Sequence, residues 1–339
     1  MGIDYKKAGV DEEKAENLIS YIKEKTKTIF QKNVIGEIGF FSGFFSFPSK
    51  KYKNPVLVSS TDGVGTKILL AQQFEEYRGI GIDLVAMNVN DVAVSGAEIL
   101  FLLDYIAVGE IKGKREKEIM DGIIEGCKIA GCSLIGGEVA QMKDVYGKDG
   151  FDLAGFCVGI VERSKIPDFK RIKPGDVLVG INSNGVHSNG FSLIRKIFKK
   201  KKLEKYYEEI GMPIWKELLK PTFIYSPLLY ELFSSSLIKA ASHITGGGIP
   251  GNLIRILPEN LKARIEKKSL KILPVFAIIK KEGKIEEKEM FNVFNMGIGT
   301  ILVVKPQNLD KVMETVRKFN FISYVIGEIT EGNKSVEIV

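Results

Sequence analysis

The sequence predicts a two-domain protein of the α/β (α+β) class, on three observations. Segments with a 3.6-residue apolar period and short apolar strand-like segments interleave along the whole chain. The length, 339 residues, corresponds to about two domains at roughly 150 residues each. The charged stretch 162–175 carries Pro167 and Pro174 and ends in Gly175, and it reads as a linker. It divides the chain into domains 1–168 and 169–339.

Residues 11–29 place Leu18, Ile19, Ile22 and Ile29 among lysines and glutamates at helical spacing. The Phe/Gly stretch Gly39–Phe47 is too irregular for either period and reads as a loop. A strand over Pro55–Ser59, a helix over Thr66–Tyr77, an apolar helix over Gly81–Ser95 and a strand over Ile99–Val108 follow. The first domain continues with a helix over Lys114–Ala130, a short strand over Ser133–Ile135 and a strand over Asp152–Val161. Beyond the linker a strand restarts at Asp176–Ile181, and an amphipathic helix covers Gly190–Phe198.

Composition narrows the function classes. Hydrophobic residues make up 45% and charged residues 27%, which excludes a disordered or collagen-like chain. No apolar run approaches the ~18 residues of a membrane span, and Met1–Lys6 has no apolar leader pattern. A cytoplasmic protein with no membrane partner is expected. Lys plus Arg number 49 against 42 Asp plus Glu, for a net charge of +7. The densest basic cluster, Lys199–Lys202, follows a helix and soon mixes with acids, so it reads as a solvated helix end and no nucleic-acid partner is expected. Cys127, Cys132 and Cys157 lack metal or redox spacing and read as buried thiols in a reducing compartment. With only His187 and His243, a histidine-rich metal site is excluded.

Five strings carry candidate chemistry. Thr61-Asp62-Gly63-Val64-Gly65-Thr66-Lys67 lies between a strand and a helix, where glycines and free N–H groups admit an anion. There Asp62 is a candidate Mg2+ ligand and Lys67 a candidate phosphate contact; a tight turn with an Asp cap reads equally well. In the helix Gly81–Ser95, Asp83 fits the first turn as a dipole partner. Asp91 sits near the C-terminal end, where the dipole disfavours an anion, and is the better metal candidate. Gly136-Gly137-Glu138 delivers a third carboxylate on a Gly-Gly turn, and Mg2+ takes one or two carboxylates plus substrate phosphates. Asn184–Gly190, with His187 in a polar turn, and Thr245-Gly246-Gly247-Gly248 both open helices. His187 is a more credible acid–base group than His243, though a structural histidine fits the position as well.

Together these strings resemble the phosphoribosylformylglycinamidine cyclo-ligases (aminoimidazole ribonucleotide synthetases). The resemblance begins at Tyr5–Asp11 and runs through Ser60–Lys67, Gly81–Asp91, Leu103-Asp104-Tyr105 and Gly136–Glu138. It continues in Ala154–Gly159, His187–Gly190, His243–Gly248 and Phe294–Gly299, nearly the full length in the family's order. Two departures stand out: Gly39–Phe44 is poorer in glycine than the family segment, and Pro250-Gly251-Asn252 replaces the usual Pro-Glu-Asn. The wider superfamily, with selenophosphate synthetase and thiamine-monophosphate kinase among its members, shares the acidic loops.

The resemblance implies ATP-dependent ring closure of formylglycinamidine ribonucleotide to 5-aminoimidazole ribonucleotide, ADP and phosphate. It implies Asp62, Asp91 and Glu138 as Mg2+–phosphate ligands, and Gly63, Gly65, Thr66 and Lys67 on the ATP phosphates. His187 is expected to transfer a proton, with Ser188 and Asn189 as polar positioners. Thr245, Gly246, Gly247 and Gly248 are expected to cradle the ribose phosphate. Lys23 either faces the nucleotide or is an exposed helix lysine. The implied fold is an N-terminal domain whose four strands complete a β-barrel with a second copy in a homodimer, followed by a domain of helices on a mixed sheet.

Overall fold

The structure, a computed structural model, describes residues 11–339; the family-like segment before Asp11 lies outside the described residues. Helix α1 spans Glu12–Thr26 and is capped by Asp11, whose carboxylate accepts the Lys14 N–H. Residues 34–35 and 44–45 pair as a small antiparallel hairpin, so the Phe/Gly stretch is a hairpin arm and its tip.

The N-terminal sheet has four strands, β1 (Pro55–Gly63), β2 (Glu98–Val108), β3 (Ser133–Gln141) and β4 (Phe151–Glu162), in the order β1-β4-β2-β3. Only β2 and β3 run parallel. Two strands extend well beyond their expected ends, to Gly63 rather than Ser59 and to Gln141 rather than Ile135. Their polar and glycine-rich continuations show no apolar alternation, yet their backbones find ladder partners on β4 and β2. The acidic motifs at Asp62 and Glu138 therefore sit on strands, not on turns.

Helices α2 (Lys67–Phe74), α3 (Arg78–Ala93) and α4 (Lys114–Ala130) follow the expected order. Helix α3 starts three residues before Gly81, because that glycine is an approach point rather than a breaker: a Cβ there would collide with the Ile119 carbonyl on α4. Helix α3 also lies directly on β4. Gly155 and Gly159 face Asn88 and Val92, and a Cβ at either position would meet those side chains at 2.6 Å. Every residue from Ile80 to Asn90 is buried, and Asp91 is the first to emerge.

The C-terminal sheet is mixed and six-stranded. Its strands are β5 (Val177–Asn182), β6 (Ile238–His243), β7 (Leu261–Ile265), β8 (Ile298–Val304), β9 (Ser323–Glu331) and β10 (Ser335–Ile338), in the order β6-β8-β5-β9-β7-β10. One face, with Val179, Ile181, Leu302 and Val304, joins the core that contains α3. The other face, with Leu178, Ile298 and Ile301, packs in a second core with α5 (Phe191–Ile197), α7 (Gly248–Leu253) and α8 (Pro274–Gly283). Helix α6 (Ser226–Ser234) lies against α3 and bridges the halves. Cys127, Cys132 and Cys157 are buried free thiols. Lys199–Lys202 are exposed, with Lys202 paired to Glu282. Among the described residues no helix is long and apolar enough to cross a membrane.

Candidate active site

The β1–α2 loop meets two loops of the C-terminal half, and the solvent-open junction between them is the cleft. Asp62 ends β1 with its Oδ1 accepting the Gly63 N–H at 2.8 Å. Its main-chain carbonyl accepts Asn88 Nδ2 from α3 at 3.1 Å, which locks strand to helix. Burial raises the Asp62 carboxyl above the usual aspartate range; the Gly63 N–H opposes this, and the charge of nearby Asp91 adds to it. Asp91 emerges from α3 with its side chain 40% exposed, and its Oδ1 lies 2.7 Å from His243 Nδ1. Asp62 and Asp91 thus come from two elements that Asn88 joins, near enough for the charge of one to act on the other.

The loops around them are open. Gly65 adopts φ +67°, and it and Thr66 are accessible. Thr66 Oγ1 lies 3.2 Å from Ser192 Oγ, tying the N-terminal loop to the start of α5. Asn189 Oδ1 stands 3.6 Å from where a Gly246 Cβ would be, so the two C-terminal loops adjoin. Gly246 and Gly247 are exposed, and Asn252 Nδ2 gathers the carbonyls of Thr245, Gly246 and Gly248 at 3.3, 3.1 and 2.8 Å. Ser188 Oγ pairs with Thr222 Oγ1 at 3.1 Å.

Three expectations are corrected here. Lys67 does not face the cleft: its ammonium is fully buried, 2.6 Å from Asp83 Oδ2 and 2.7 Å from the Lys220 carbonyl. Burial pushes Lys67 below the usual lysine range, and Asp83 resists the shift. Because α3 begins at Arg78, Asp83 is no first-turn dipole partner. It is the buried counter-ion of Lys67, and its Oδ1 accepts both the N–H and the hydroxyl of Thr222, at 2.7 and 2.6 Å. His187 is likewise sealed in, at φ +61° between Phe223 and Tyr225. Neither of its ring nitrogens has a hydrogen-bond partner among the described residues. Burial holds it well below the usual histidine range. His243, ranked lower from sequence, is the histidine the fold brings to a carboxylate; the signal available was its place two residues before Thr245.

Glu138 does not join Asp62 and Asp91 within one chain. Across the sheet Gly63 pairs with Ala154, Ala154 with Tyr105 and Tyr105 with Glu138. Three strand steps of about 4.8 Å put Glu138 roughly 14 Å from Gly63, and no group of three acidic, histidine or cysteine side chains forms a metal site among the described residues. Glu138 instead lines a cavity of about 160 Å³ with Ile19, Ile38, Phe40 and Asp104. The end of the Lys23 side chain folds against Gly39, which lines the same cavity.

This fold and cleft define a protein of the AIR synthase related class. The N-terminal domain model of that family matches residues 51–161 and the C-terminal domain model residues 173–339. The chain is 49% identical over 337 residues to the phosphoribosylformylglycinamidine cyclo-ligase of Thermodesulfovibrio yellowstonii, covering 98% of both chains. It is 46% identical over 331 residues to that of Geobacillus thermodenitrificans, covering 97% of this chain and 96% of the other. The chain belongs to the phosphoribosylformylglycinamidine cyclo-ligase family. Among solved structures, thiamine-monophosphate kinase from Stenotrophomonas maltophilia shares the fold with a TM-score of 0.69 at 17% identity, over 95% of each chain. The E. coli hydrogenase maturation protein HypE shares it with a TM-score of 0.67 at 16% identity, over 97% of this chain and 94% of the other.

Proposed function

We propose that the cleft between the two halves carries out the family's reaction, and the observation that carries this reading is that Asn88 ties the strand bearing Asp62 to the helix from which Asp91 emerges part-exposed. As a phosphoribosylformylglycinamidine cyclo-ligase, the chain is an ATP-using ligase of purine biosynthesis that converts formylglycinamidine ribonucleotide to aminoimidazole ribonucleotide. The formyl-amide oxygen is a poor leaving group. Taking the γ-phosphoryl group of ATP turns it into a phosphate ester, which the substrate's own amidine nitrogen then displaces as phosphate. That second step is intramolecular, so the protein's part is to position, to neutralise charge and to exclude water.

The donor set fits Mg2+: Asp62 and Asp91 offer two hard carboxylates on adjoining elements, and the charge of Asp91 adds to burial in raising Asp62, which a divalent cation would offset. When bound, the ion neutralises phosphate charge during transfer. Backbone N–H groups at Gly65 and Thr66 suit the ATP phosphates, while that of Gly63 is taken by Asp62 Oδ1. Ser188 and Asn189 orient polar substrate groups, and Thr245 with Gly246–Gly248 suits the ribose phosphate. His187, sealed from the cleft, has no place in proton transfer on this reading; it shapes its loop against Tyr225.

The third acid enters from a second copy. The sheet face turned away from α3 exposes Leu57, Phe156 and Tyr105, and among the described residues both of its edge strands, β1 and β3, have no further partner. Closing two such sheets into an eight-stranded barrel pairs β3 of one subunit with β1 of the other. Glu138 and the cavity beside Lys23 then stand next to the other subunit's Asp62 and Asp91. The homodimer, the division into domains 1–168 and 169–339, and the cytoplasmic setting that three buried free thiols support all belong to this reading.

The activity test follows imidazole formation from ATP and formylglycinamidine ribonucleotide, with and without Mg2+. The site test mixes two inactive variants, Glu138→Gln and Asp91→Asn. With sites built across subunits, each mixed dimer regains one intact site, so an equal mixture recovers roughly a quarter of wild-type activity. No recovery from subunits that demonstrably exchange would overturn the shared site.

A further inference from the structure

We infer that His243 is a positioning residue for the metal site, held in its Nδ1–H tautomer by the C-terminal half so that it aims the Asp91 carboxylate; this rests on Asp91 being a metal ligand, as proposed above. The orientation is set by a chain of contacts that begins at main-chain groups whose donor and acceptor roles cannot change. The Tyr225 N–H donates to Asn90 Oδ1 at 2.7 Å, and Asn90 Nδ2 donates to the Phe223 carbonyl at 2.8 Å. Both ends of the Asn90 amide are therefore assigned, and the amide cannot flip without losing two buried hydrogen bonds.

The NH2 end of Asn90 lies 3.5 Å from His243 Nε2. Two N–H groups pointed at each other would repel, so Nε2 is the bare nitrogen and the ring proton sits on Nδ1. Nδ1 is the atom 2.7 Å from Asp91 Oδ1, and it donates there. The imidazole is almost closed off, with its side chain 2% exposed, whereas that of Asp91 is 40% exposed. One carboxylate oxygen is thus fixed from behind while the group stays open to the cleft. This is a carboxylate–histidine pair with the usual order reversed, the carboxylate being the ligand and the histidine its orienting partner.

The contact also joins the two halves of the site. His243 ends β6, and Ile244 is held by its N–H to the Gly299 carbonyl. Thr245 and the glycines proposed for the substrate phosphate come immediately after. The residue that aims the N-terminal domain's metal ligand is therefore carried by the same strand as the C-terminal phosphate loop.

Three variants separate positioning from bulk. An asparagine at 243 can place its NH2 group near the Nδ1 position, a glutamine places it near Nε2, and a leucine keeps volume without a donor. Mn2+ affinity of the full chain is read by electron paramagnetic resonance with a non-hydrolysable ATP analogue present. His243→Leu and His243→Gln are expected to bind Mn2+ about 10–100-fold more weakly, and His243→Asn to stay within about threefold of wild type. Unchanged Mn2+ binding in His243→Leu, alongside weakened binding in Asp91→Asn, would overturn the inference alone. Unchanged binding in Asp91→Asn would remove the metal assignment beneath it. Ring 15N spectra of the wild-type chain decide the tautomer even where a variant fails to fold. The chain has two histidines, so His243→Asn assigns the signals. An Nε2–H form of His243 would overturn the proposal.

Discussion

Asp83 and Asp91 stand about two turns apart on α3, roughly 12 Å along its axis, and each reaches a basic side chain. Asp83 and Lys67 are both sealed, at 0% exposure, whereas Asp91 keeps 40% of its side chain open beside His243. The sealed pair ties α2 and α3 to the C-terminal half through Thr222 and the Lys220 carbonyl. The open pair leaves a carboxylate able to take a further partner. The same residue type on the same helix is thus locked into a sealed pair at one position and left part-exposed at the other. What separates the two is whether the C-terminal half covers the helix at that turn.

The comparison breaks most visibly at Lys67. Lys67→Met leaves the Asp83 charge buried without its cation, a change that costs about 3–5 kcal/mol in comparable buried pairs. Adding Asp83→Leu removes the stranded charge and should return much of that loss. Chemical denaturation of the two variants measures both. Below their melting range both should retain near-normal affinity for ATP, because Lys67 does not touch phosphate. A large loss of ATP affinity in a folded Lys67→Met protein would return Lys67 to the site.

Asp91→Asn tests the other side. Stability should move by less than about 1 kcal/mol, since the residue is part-exposed and its pair with His243 is half open. Ring closure should fall by more than about 100-fold, beyond the 10–100-fold typical of an outer-shell contact. Turnover and denaturation on the same preparation give both numbers. A variant that loses stability and keeps its rate would make Asp91 a second Asp83.

Much of this was legible in sequence. The alternation of helices and strands in the first half, the buried thiols and the helix Lys114–Ala130 all follow from apolar periodicity and turn residues. The need of Asp91 for a partner was legible too, because an anion at the C-terminal end of an apolar helix demands one, and the fold supplies His243. The roles of Lys67 and His187 were not legible. A lysine after Gly-Thr looks the same whether it meets a phosphate or a carboxylate 16 residues on, and only the helix register and the covering Thr222 segment decide. The separation of Glu138 from Asp62 was hidden for another reason. It depends on strand order, β1-β4-β2-β3, and pairing order is a long-range property that local spacing does not carry.

Asp104 sharpens the contrast, as a buried aspartate without a cation. It lies on β2 above the Glu138 cavity and enters no ion pair among the described residues, and burial pushes its carboxyl up to about 7, with its own N–H opposing. The ordinary value is 3.8, so the folded chain holds a proton here that the unfolded chain has released. Stability contributed at this site is therefore present at low pH, declines as pH rises from about 4 to about 7, and is gone above that. Asp104→Asn keeps the shape and removes the titration. At pH 8.5 it should gain about 2 kcal/mol over wild type, less than the full linkage value because the amide is still a buried polar group. At pH 4 the two proteins should be nearly equal. Urea unfolding at both pH values and one protein concentration measures the difference. A gain that is the same at pH 4 and 8.5 would mean the carboxylate finds a cation or water that keeps it ionised, and Asp104 would then join Asp83 as a paired structural acid.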